Sequence, residues 1–450
     1  MADFIEPRVL KGFRDFLPAA EIGRRDLTEL IEASFRSYGF VPIDTPALEY
    51  AEILLGKGGG ETEKQIYRFK DNGDRDVALR FDLTVPFARF IACHRQDLVM
   101  PFKRYHIAKV WRGENTQRGR YREFTQCDFD IIGSNSPAAD FEILLMMRNT
   151  FKAIGVGDVN IRINHRGLFN RFLALLGVPE KSVMVLRTVD KLAKIGRDAT
   201  LELLGELTGK EKARKILDFI GAGGAFEEVL RTMTEVSGGK SPESERMETL
   251  RRFMLDTGTA GSFTLDPSIT RGLDYYTGIV YETFLGDLPD IGSVCSGGRY
   301  DNLAGLYSRE RISGVGSSIG LDRLIAALEA LGKLKERPSY ARVGIACIRE
   351  EQGGRCQALG EKLRAAGIPC EVFLEEGKLT KQFVLAEKKG FTWLLIPGEN
   401  PGKNPGANPL EEPLTLRNLV SRENREGLSA DEVIGILKNS PPPAGSLKAP

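Results

Sequence analysis

The segment that decides the fold is KRYHIAKVWRGENTQRGRYREFTQCDFDIIG, residues 103–133. Two runs of alternating polarity flank a polar, glycine-containing centre, which predicts an antiparallel hairpin with a long tip. From Lys103 to Arg122 the segment carries seven Lys or Arg residues and one acid. This pattern predicts a sheet with positive charge concentrated towards the tip of one hairpin.

The second strand of the hairpin has two faces of different chemistry. Because side chains alternate across a strand, one face would carry Thr125, Cys127, Phe129 and Ile131 and would suit a core. A solvated surface is the ordinary alternative for the other face. Arginines beside an aromatic ring, an amide and carboxylates are instead typical of a site that stacks a base and binds phosphate. The residues of that face are Arg120, Arg122, Phe124, Gln126, Asp128 and Asp130.

Three other segments hold candidate ligands. RGLDYYTGIVYE, residues 271–282, combines one Arg, one Asp and three tyrosines, although taken alone it also suits a tyrosine-rich strand. GVGSSIGLDRLIAALEALG, residues 314–332, predicts a strand followed by a helix with Arg323 in its first turn. Since a cation there opposes the helix dipole, an anion bound at the helix start explains it better. LRFDLTVP, residues 79–86, places Asp82 and Thr84 just after a strand.

Composition and missing motifs exclude several classes of protein. The 450 residues include 63 basic and 62 acidic residues, and this balance excludes a strongly basic nucleic-acid coat or a polybasic membrane binder. No standard P-loop or dinucleotide fingerprint occurs, so a bound nucleotide would need another device. No run of about 18 apolar residues predicts a membrane helix, and the N-terminus, which has early acids and no apolar run, does not resemble a signal peptide.

The cysteines indicate a reducing, cytoplasmic environment. None of the six forms a C-x-x-C pair, and only three histidines are present, so neither a structural zinc site nor a disulfide framework is expected. We therefore expect no resident metal ligands in this chain.

Changes in pattern predict the domain organisation. Residues 1–335 read as a sheet domain that is interrupted by a helical insertion at 168–260. Residues 342–440 alternate strand, helix, strand, helix and strand, which is typical of an α/β domain. The final segment, residues 441–450, reads as a disordered tail.

At these residues the chain resembles the histidyl-tRNA synthetases, which are class II aminoacyl-tRNA synthetases. GFVPIDTPALE is similar to motif 1, VWRGENTQRGRYREFTQCDFDIIG to motif 2 and GVGSSIGLDRL to motif 3. RGLDYYTGIVYE resembles the histidine-specific signature of the family. SGGRYDNL and KGFRDFLP are also similar to family segments. The resemblance implies an α+β catalytic domain on an antiparallel sheet, with a helical insertion and a C-terminal α/β anticodon-binding domain.

The resemblance also implies roles for individual residues. Arg112 would contact the α-phosphate of ATP, Glu114 and Phe124 would face adenine, and Arg120 and Arg323 would hold the far phosphates. Mg²⁺ would neutralise the pyrophosphate leaving group.

For the amino acid, the resemblance implies that Asp82, Thr84 and Gln126 bind the ammonium group of L-histidine. Asp130 would bracket the imidazole together with Tyr276, beside Tyr275. Arg271 would lie against the carboxylate and the α-phosphate, which makes Arg271, Arg112 and Gln126 the expected catalytic residues. Asp82 and Asp130 stand where other members carry glutamate, and Cys295 is expected to be a packing residue.

Alternative functions belong to other classes. One is the family's non-catalytic paralogue, a regulatory subunit of ATP phosphoribosyltransferase, which typically lacks the anticodon-binding domain and the catalytic arginine. Another is a structural or signalling protein with a degenerate synthetase-like domain, and a third is a synthetase for a different amino acid. Arg271, residues 342–440 and the motif arginines disfavour these alternatives.

The expected partners are tRNA-His and a second copy of the chain, with no membrane. Ile31, Phe35 and Tyr38 lie at helical spacing and predict an apolar stripe that a dimer would cover. For residues 342–440, 14 basic and 14 acidic residues indicate reading of unpaired bases rather than bulk attraction to phosphate. Candidate phosphate contacts there are Lys378, Lys381, Arg417, Arg422 and Arg425.

Overall fold

The structure is a computed structural model. It describes residues 4–56, 65–270, 276–301, 305, 307, 311–334, 336–398 and 412–440, apart from the side chains of residues 193 and 194. The chain divides into two compact units. Of the described residues, those within 4–14 and 30–333 form the first unit, and those within 15–29 and 334–440 form the second.

The first unit is built on an eight-stranded sheet in the order β1-β5-β6-β11-β10-β9-β7-β8. Its six central strands pair antiparallel, and only the edge strands β1 and β8 pair parallel with their neighbours. The predicted antiparallel catalytic sheet is therefore confirmed. The strands are β1 (Val41–Pro42), β5 (Phe102–Trp111), β6 (Glu123–Ile132), β7 (Val159–His165), β8 (Phe263–Leu265), β9 (Ile279–Leu285), β10 (Cys295–Tyr300) and β11 (Gly314–Gly320).

Outside the stretch between β7 and β8, the described chain up to residue 333 also forms a small antiparallel sheet and five α-helices. The small sheet has the order β2-β4-β3, with β2 at Leu48–Tyr50, β3 at Arg68–Lys70 and β4 at Asp76–Leu79. The helices are α1 (Pro18–Ser37), α2 (Ala51–Leu55), α3 (Thr84–His94) and α4 (Pro137–Ile154), and α11 (Leu321–Ala330) follows β11. Helix α4 begins where the Ser136 side chain accepts a hydrogen bond from the Ala138 N–H, and it ends at left-handed Gly155.

Six helices occupy the chain between β7 and β8. They are α5 (Arg166–Leu175), α6 (Ser182–Val189), α7 (Leu192–Thr208), α8 (Lys210–Ile220), α9 (Phe226–Val236) and α10 (Pro242–Asp256). Each of these helices buries an apolar side, as Phe172 of α5, Phe219 of α8 and Met233 of α9 show. The structure thus has helices where the sequence pattern indicated an insertion, and the boundaries 168–260 of a separate domain stay a prediction.

The second unit contains a five-stranded mixed sheet in the order β13-β12-β14-β15-β16. The pattern that predicted three strands and two helices matches β12 (Val343–Ile345), α12 (Gly353–Ala365), β13 (Cys370–Val372), α13 (Leu379–Lys388) and β14 (Trp393–Pro397). The strands β15 (Leu414–Asn418) and β16 (Asn424–Leu428) and the helix α14 (Ala430–Asn439) follow. The parallel pairing of β12 with β13 and β14 is what strand–helix–strand units require.

The apolar stripe of α1 does not support a dimer. Ile31 and Phe35 are wholly buried within the chain, and the Phe35 ring lies 4.7 Å from that of Phe129. Tyr38 is half-buried and accepts a hydrogen bond from Asn149. The expectation that a monomer would struggle to cover this stripe was wrong, because the central sheet already covers it.

Candidate active site

One face of the central sheet gathers the polar residues of β5, β6 and β11. In register, Arg104 lies opposite Asp130, which lies opposite Gly316 on the next strand. One step along, His106 lies opposite Asp128, and Asp128 opposite Ser318. The sheet therefore places charged side chains from two strands beside small residues of a third, which leaves space above the sheet.

Glycine is required at two positions of this face. A Cβ at Gly316 would lie 1.8 Å from Oδ1 of Asp130, and a Cβ at Gly298 would lie 2.9 Å from Cδ1 of Tyr276. Both distances are shorter than real Cβ atoms tolerate. The glycines of β10 and β11 thus make room for the aspartate and tyrosine expected to bracket an imidazole.

A cavity of about 240 Å³ opens between the hairpin tip and the start of α11. It is lined by all five residues expected to bind ATP, together with Gln126. Its other lining residues come from the tip, from the segment before β10 and the first two residues of β10, from the end of β11 and from the start of α11. The lining consists of Arg112, Glu114, Gly119, Arg120, Tyr121, Phe124, Gln126, Ser293, Val294, Cys295, Ser296, Ser318, Gly320, Asp322 and Arg323.

Arg112 is held at the base of the hairpin tip. Its Nε donates to the carbonyl oxygen of Phe81 at 2.8 Å, its guanidinium carbon lies 5.1 Å from the centre of the Phe124 ring, and its Nη1 lies 3.7 Å from Oε1 of Glu114. Arg120 approaches the same carboxylate at 3.9 Å. Cations on both sides of Glu114 next to an aromatic ring suit a ligand that has both phosphates and a base.

The start of α11 is fixed to the hairpin by buried contacts. The Thr125 N–H donates to Oδ2 of Asp322 at 2.7 Å, and Arg14 pairs with Oδ1 of the same carboxylate at 2.5 Å. Arg323 donates from Nη1 to the carbonyl oxygen of Ser293 at 2.5 Å. These bonds hold Arg323 in the wall of the cavity, at the end of the helix where the dipole also favours an anion.

Asp82 and Gln126 each have a buried acceptor oxygen without a donor among the described residues. Asp82 is 2% exposed, and its Oδ1 accepts from the Val85 N–H at the start of α3. Its Oδ2 and the Oε1 of Gln126 have no hydrogen-bond donor among the described residues. Because buried acceptors without donors are costly, these two atoms suit an ammonium group as a ligand. Thr84 is half-buried at the first position of α3.

Burial changes the ionisation of the carboxylates in this region. It raises the pKa of Asp82 to about 6 and that of Asp128 to about 7, against the opposing effect of Arg104. The pKa of Asp130 is also raised by burial, while Arg104 and the Tyr300 hydroxyl act to lower it. Three carboxylates around one buried arginine form a strongly coupled polar cluster.

The structure corrects the predicted strand face. Strand β6 begins at Glu123, so Arg120 and Arg122 belong to the tip and not to the strand. The Arg120 N–H donates to the Gln117 carbonyl oxygen, and the Arg122 N–H donates to Gly12. Arg120 nevertheless reaches the cavity, because the turn at residues 117–120 folds back over it.

Of the remaining candidates, the structure describes Tyr276 and Cys295 but not Arg271 and Tyr275. Arg271 and Tyr275 lie outside the described residues. Tyr276 is half-buried against the apolar cluster that contains Phe87 and Tyr300. Cys295 is buried, with its sulfur 3.0 Å from the Ser317 hydroxyl oxygen, as a packing residue would be.

The sequence analysis assigned no role to Arg104, Tyr121, Tyr300 or Asp322. Tyr121 lines the cavity beneath the guanidinium of Arg14, which lies 3.5 Å from its ring centre. The pairing of Arg104 with Asp130 depends on the strand register, which the sequence pattern did not fix. No local signal identifies Tyr300, whose partner is 170 positions away in sequence.

Comparison with known proteins identifies the family. A histidyl-tRNA synthetase family model matches residues 12–324, and an anticodon-binding-domain model matches residues 342–440. This chain belongs to the histidyl-tRNA synthetase family. Family and fold are therefore as the sequence predicted, and the regulatory-subunit alternative is not favoured.

Individual relatives cover most of the chain. It is 54% identical over 399 residues to histidine–tRNA ligase of Treponema denticola, covering 87% of this chain and 89% of the relative. The corresponding ligase of Helicobacter hepaticus is 42% identical over 447 residues, covering 96% of this chain and 99% of the relative.

Solved structures of similar proteins have the same fold. The histidyl-tRNA synthetase of Nostoc sp. PCC 7120 has a TM-score of 0.84 and 34% identity, covering 97% of this chain and 99% of that one. A protein of Bacillus halodurans, described as an ATP phosphoribosyltransferase regulatory subunit/histidyl-tRNA synthetase, shares the fold at 20% identity and a TM-score of 0.69, covering 86% of this chain and 96% of that one.

Proposed function

We propose that this chain activates L-histidine with ATP and transfers it to the 3′ end of tRNA-His. The observation that carries the proposal is the cavity, which brings together the hairpin cations Arg112 and Arg120, the Phe124 ring and Arg323 of α11. Beside it, buried carboxylates and an amide suit an amino acid. Belonging to the histidyl-tRNA synthetase family supports an ATP-dependent aminoacyl-tRNA ligase.

In the first step a carboxylate oxygen of histidine attacks the α-phosphorus of ATP. The bond between that phosphorus and the bridging oxygen breaks, and pyrophosphate leaves. Arg112 would stabilise the charge that develops at the α-phosphate, while Arg120 and Arg323 hold the leaving phosphates and Phe124 stacks on adenine. Positioned cations supply most of the catalysis in such a reaction, since no protein nucleophile is needed.

Mg²⁺ would enter with ATP and would neutralise the pyrophosphate leaving group. In the described part of the chain, no group of three or more metal-ligating side chains occurs that would hold a metal by itself.

Histidine would be held at both ends. Asp82 Oδ2 and Gln126 Oε1, which have no donor among the described residues, would accept from the ammonium group, next to Thr84. Asp130 would accept from one imidazole nitrogen, and Tyr276, flanked by Tyr275, would donate to the other. Arg271 would bind the carboxylate as it approaches the α-phosphate.

The second unit would bind the anticodon of tRNA-His. The match of residues 342–440 to an anticodon-binding domain supports this role. Exposed cations are available there on β16 and in the turn before it, at Arg425 and Arg422. Arg417 donates to Asn424 and lies 4.8 Å from the Phe383 ring centre, and both Lys378 and Lys381 are exposed.

We further propose a homodimer that acts in the cytoplasm. Its support is a set of exposed apolar side chains on the short strands β1 to β3, namely Val41, Leu48, Tyr50 and Phe69. Within the described residues, no helix is both long and apolar enough to cross a membrane.

Exchange of labelled pyrophosphate into ATP tests the activity. We expect exchange that depends on histidine and on no other standard amino acid, because Asp130 and Tyr276 would read a ring with one donor and one acceptor nitrogen. Equal exchange with proline or threonine, or none with any amino acid, would contradict the proposal.

A further inference from the structure

Arg104 is the largest fully buried side chain of the molecule's described part. It lies in the middle of the substrate face of the sheet, yet none of its surface is exposed. Its guanidinium carbon lies 3.9 Å from the centre of the Phe87 ring, and its Nη2 lies 2.7 Å from Oδ2 of Asp130. Arg104 therefore cannot touch a substrate, and its charge acts on Asp130.

The second oxygen of Asp130 is also engaged. The Tyr300 hydroxyl, on β10, donates to Oδ1 of Asp130 at 2.6 Å. Asp130 is 3% exposed, and its Oδ1 occupies the space that a side chain at Gly316 would need. The carboxylate is thus held from two strands, by a cation on one side and a phenol on the other.

This arrangement has a physical consequence for a ligand. A buried carboxylate without a partner would take up a proton, and as a neutral acid it would no longer present two acceptor oxygens. The ion pair and the phenol favour the charged form and restrict its rotation. Each carboxylate oxygen still has a lone pair available, so Asp130 can accept one more hydrogen bond.

We propose that Arg104 and Tyr300 are positioning residues that keep the Asp130 carboxylate charged and oriented towards the imidazole of histidine. This inference rests on the proposed function, since Asp130 binds imidazole only in that function. It assigns the affinity for histidine to two side chains that do not themselves contact the amino acid.

The test compares three variants in the full-length protein by pyrophosphate exchange. Tyr300→Phe removes only the hydroxyl, and we expect the KM for histidine to rise about tenfold while the KM for ATP changes less than about threefold. Arg104→Met should raise the KM for histidine more, and Arg104→Lys should restore part of the loss because it keeps the charge. Lys103→Met, one residue away on the opposite face of β5, should behave as wild type.

Direct titration of histidine, without ATP, gives a second readout. We expect the variants to bind histidine more weakly than wild type, in the same order as their KM values for histidine rise, while their circular dichroism stays unchanged. If Arg104→Met does not fold, Tyr300→Phe decides the question, because it leaves the ion pair in place. A wild-type KM for histidine in Tyr300→Phe, or equal increases in the KM values for histidine and ATP, would overturn the proposal.

The two hypotheses fail separately. Absence of histidine-dependent exchange in the wild-type protein would remove the proposed function itself. Normal exchange in the wild type, together with unchanged histidine binding in the variants, would remove only the roles of Arg104 and Tyr300.

Discussion

Arg112 connects the hairpin tip to the segment before α3 through the bond from its Nε to the Phe81 carbonyl oxygen. That bond leaves the two terminal nitrogens of the guanidinium for the cavity, where Phe124 and Glu114 flank it. A side chain held in this way loses little freedom when an anion binds, so its charge is available without reorganisation.

Substitution of Arg112 tests this role. We expect Arg112→Ala to slow adenylate formation by about 10²–10³, the effect of removing one preorganised donor to developing charge. Single-turnover adenylate formation measures it, with circular dichroism as the folding control. Arg118→Ala is the matched control, because Arg118 is exposed in the same tip and does not line the cavity. A rate for Arg112→Ala within a few-fold of the control would contradict the role.

Asp128 gives a prediction on stability and pH. Its folded-state pKa, raised by burial to about 7 from 3.8, means that the folded protein binds a proton that the unfolded chain has released. The stabilising contribution of this proton is complete below about pH 4 and is lost as the pH rises through 7. Removing the charge should therefore stabilise the protein most at high pH.

We expect Asp128→Asn to gain thermal stability relative to wild type between pH 5 and pH 8, by at most about 4 kcal/mol. Melting temperatures of both proteins measured over this range test the sign. Burial also lowers the pKa of His106 and His165 to about 4, and this makes the stability of either protein rise with pH, opposite to the effect of Asp128. The difference in melting temperature between the two proteins is therefore the quantity to follow. A constant difference would show that Asp128 does not titrate in this range.

At the residue scale, the sequence predicted which side chains would gather around a nucleotide, and their roles stay predictions; it did not predict how deeply they lie. All five expected ATP residues line one cavity. The burial of Asp130 was not predicted because it depends on what covers the strand, and its pairing with Arg104 was not predicted because it depends on the register of β5 and β6. Roles of Arg271 and Tyr275 stay predictions.

Strands β6, β10 and β11 act as one element of the site. On their shared face, a large side chain of one strand fills the space that a glycine of the next strand leaves free. Asp130 of β6 lies against Gly316 of β11, and Tyr300 of β10 lies against Gly314 of β11. The alternation along β6 was readable in the sequence because its period is two. The need for Gly316 was not, because it arises from the neighbouring strand.

Gly316→Ala tests this fit. The new Cβ would overlap Oδ1 of Asp130 and lie 2.8 Å from the Phe129 carbonyl oxygen, so the carboxylate or the strand must move. We expect the variant to lose about 1–3 kcal/mol of stability and to have a higher KM for histidine than the wild-type protein has.

The matched control for this substitution is Gly320→Ala on the same strand. Its Cβ would make only an ordinary contact, at 3.8 Å from Cβ of Arg323. Melting temperature separates the two variants, and equal melting temperatures would show that β11 accommodates the Cβ at residue 316 by a shift that the structure does not indicate.

For the whole molecule, the separation of the two units suggests that adenylate chemistry and tRNA recognition can be divided. All described ATP and histidine candidates lie in the first unit. The segment 15–29 belongs to the second unit, where Arg337 pairs with Asp26 at 3.0 Å. A chain that ends at Tyr340 keeps this ion pair.

We expect the chain ending at Tyr340 to retain histidine-dependent pyrophosphate exchange and to lose most tRNA charging at subsaturating tRNA. Light scattering of both proteins is the control, and each should have twice its chain mass, which is 49.8 kDa for the full length. Full-rate charging by a dimeric truncated chain would exclude an anticodon role for residues 342–440, and a monomeric full-length protein would contradict the proposed dimer.

The sequence by itself determined the main strands and helices around the site, the catalytic and anticodon-binding parts in that order, and the family. It did so because strand and helix periods are local, and because the motifs around Arg112, Gln126 and Arg323 are contiguous in the chain. Tertiary structure alone decided that Ile31 and Phe35 pack inside the protomer. It also decided that Arg104, Asp130 and Tyr300 form one buried group. Those outcomes depend on strand register and on contacts between residues far apart in sequence, and no local pattern records them.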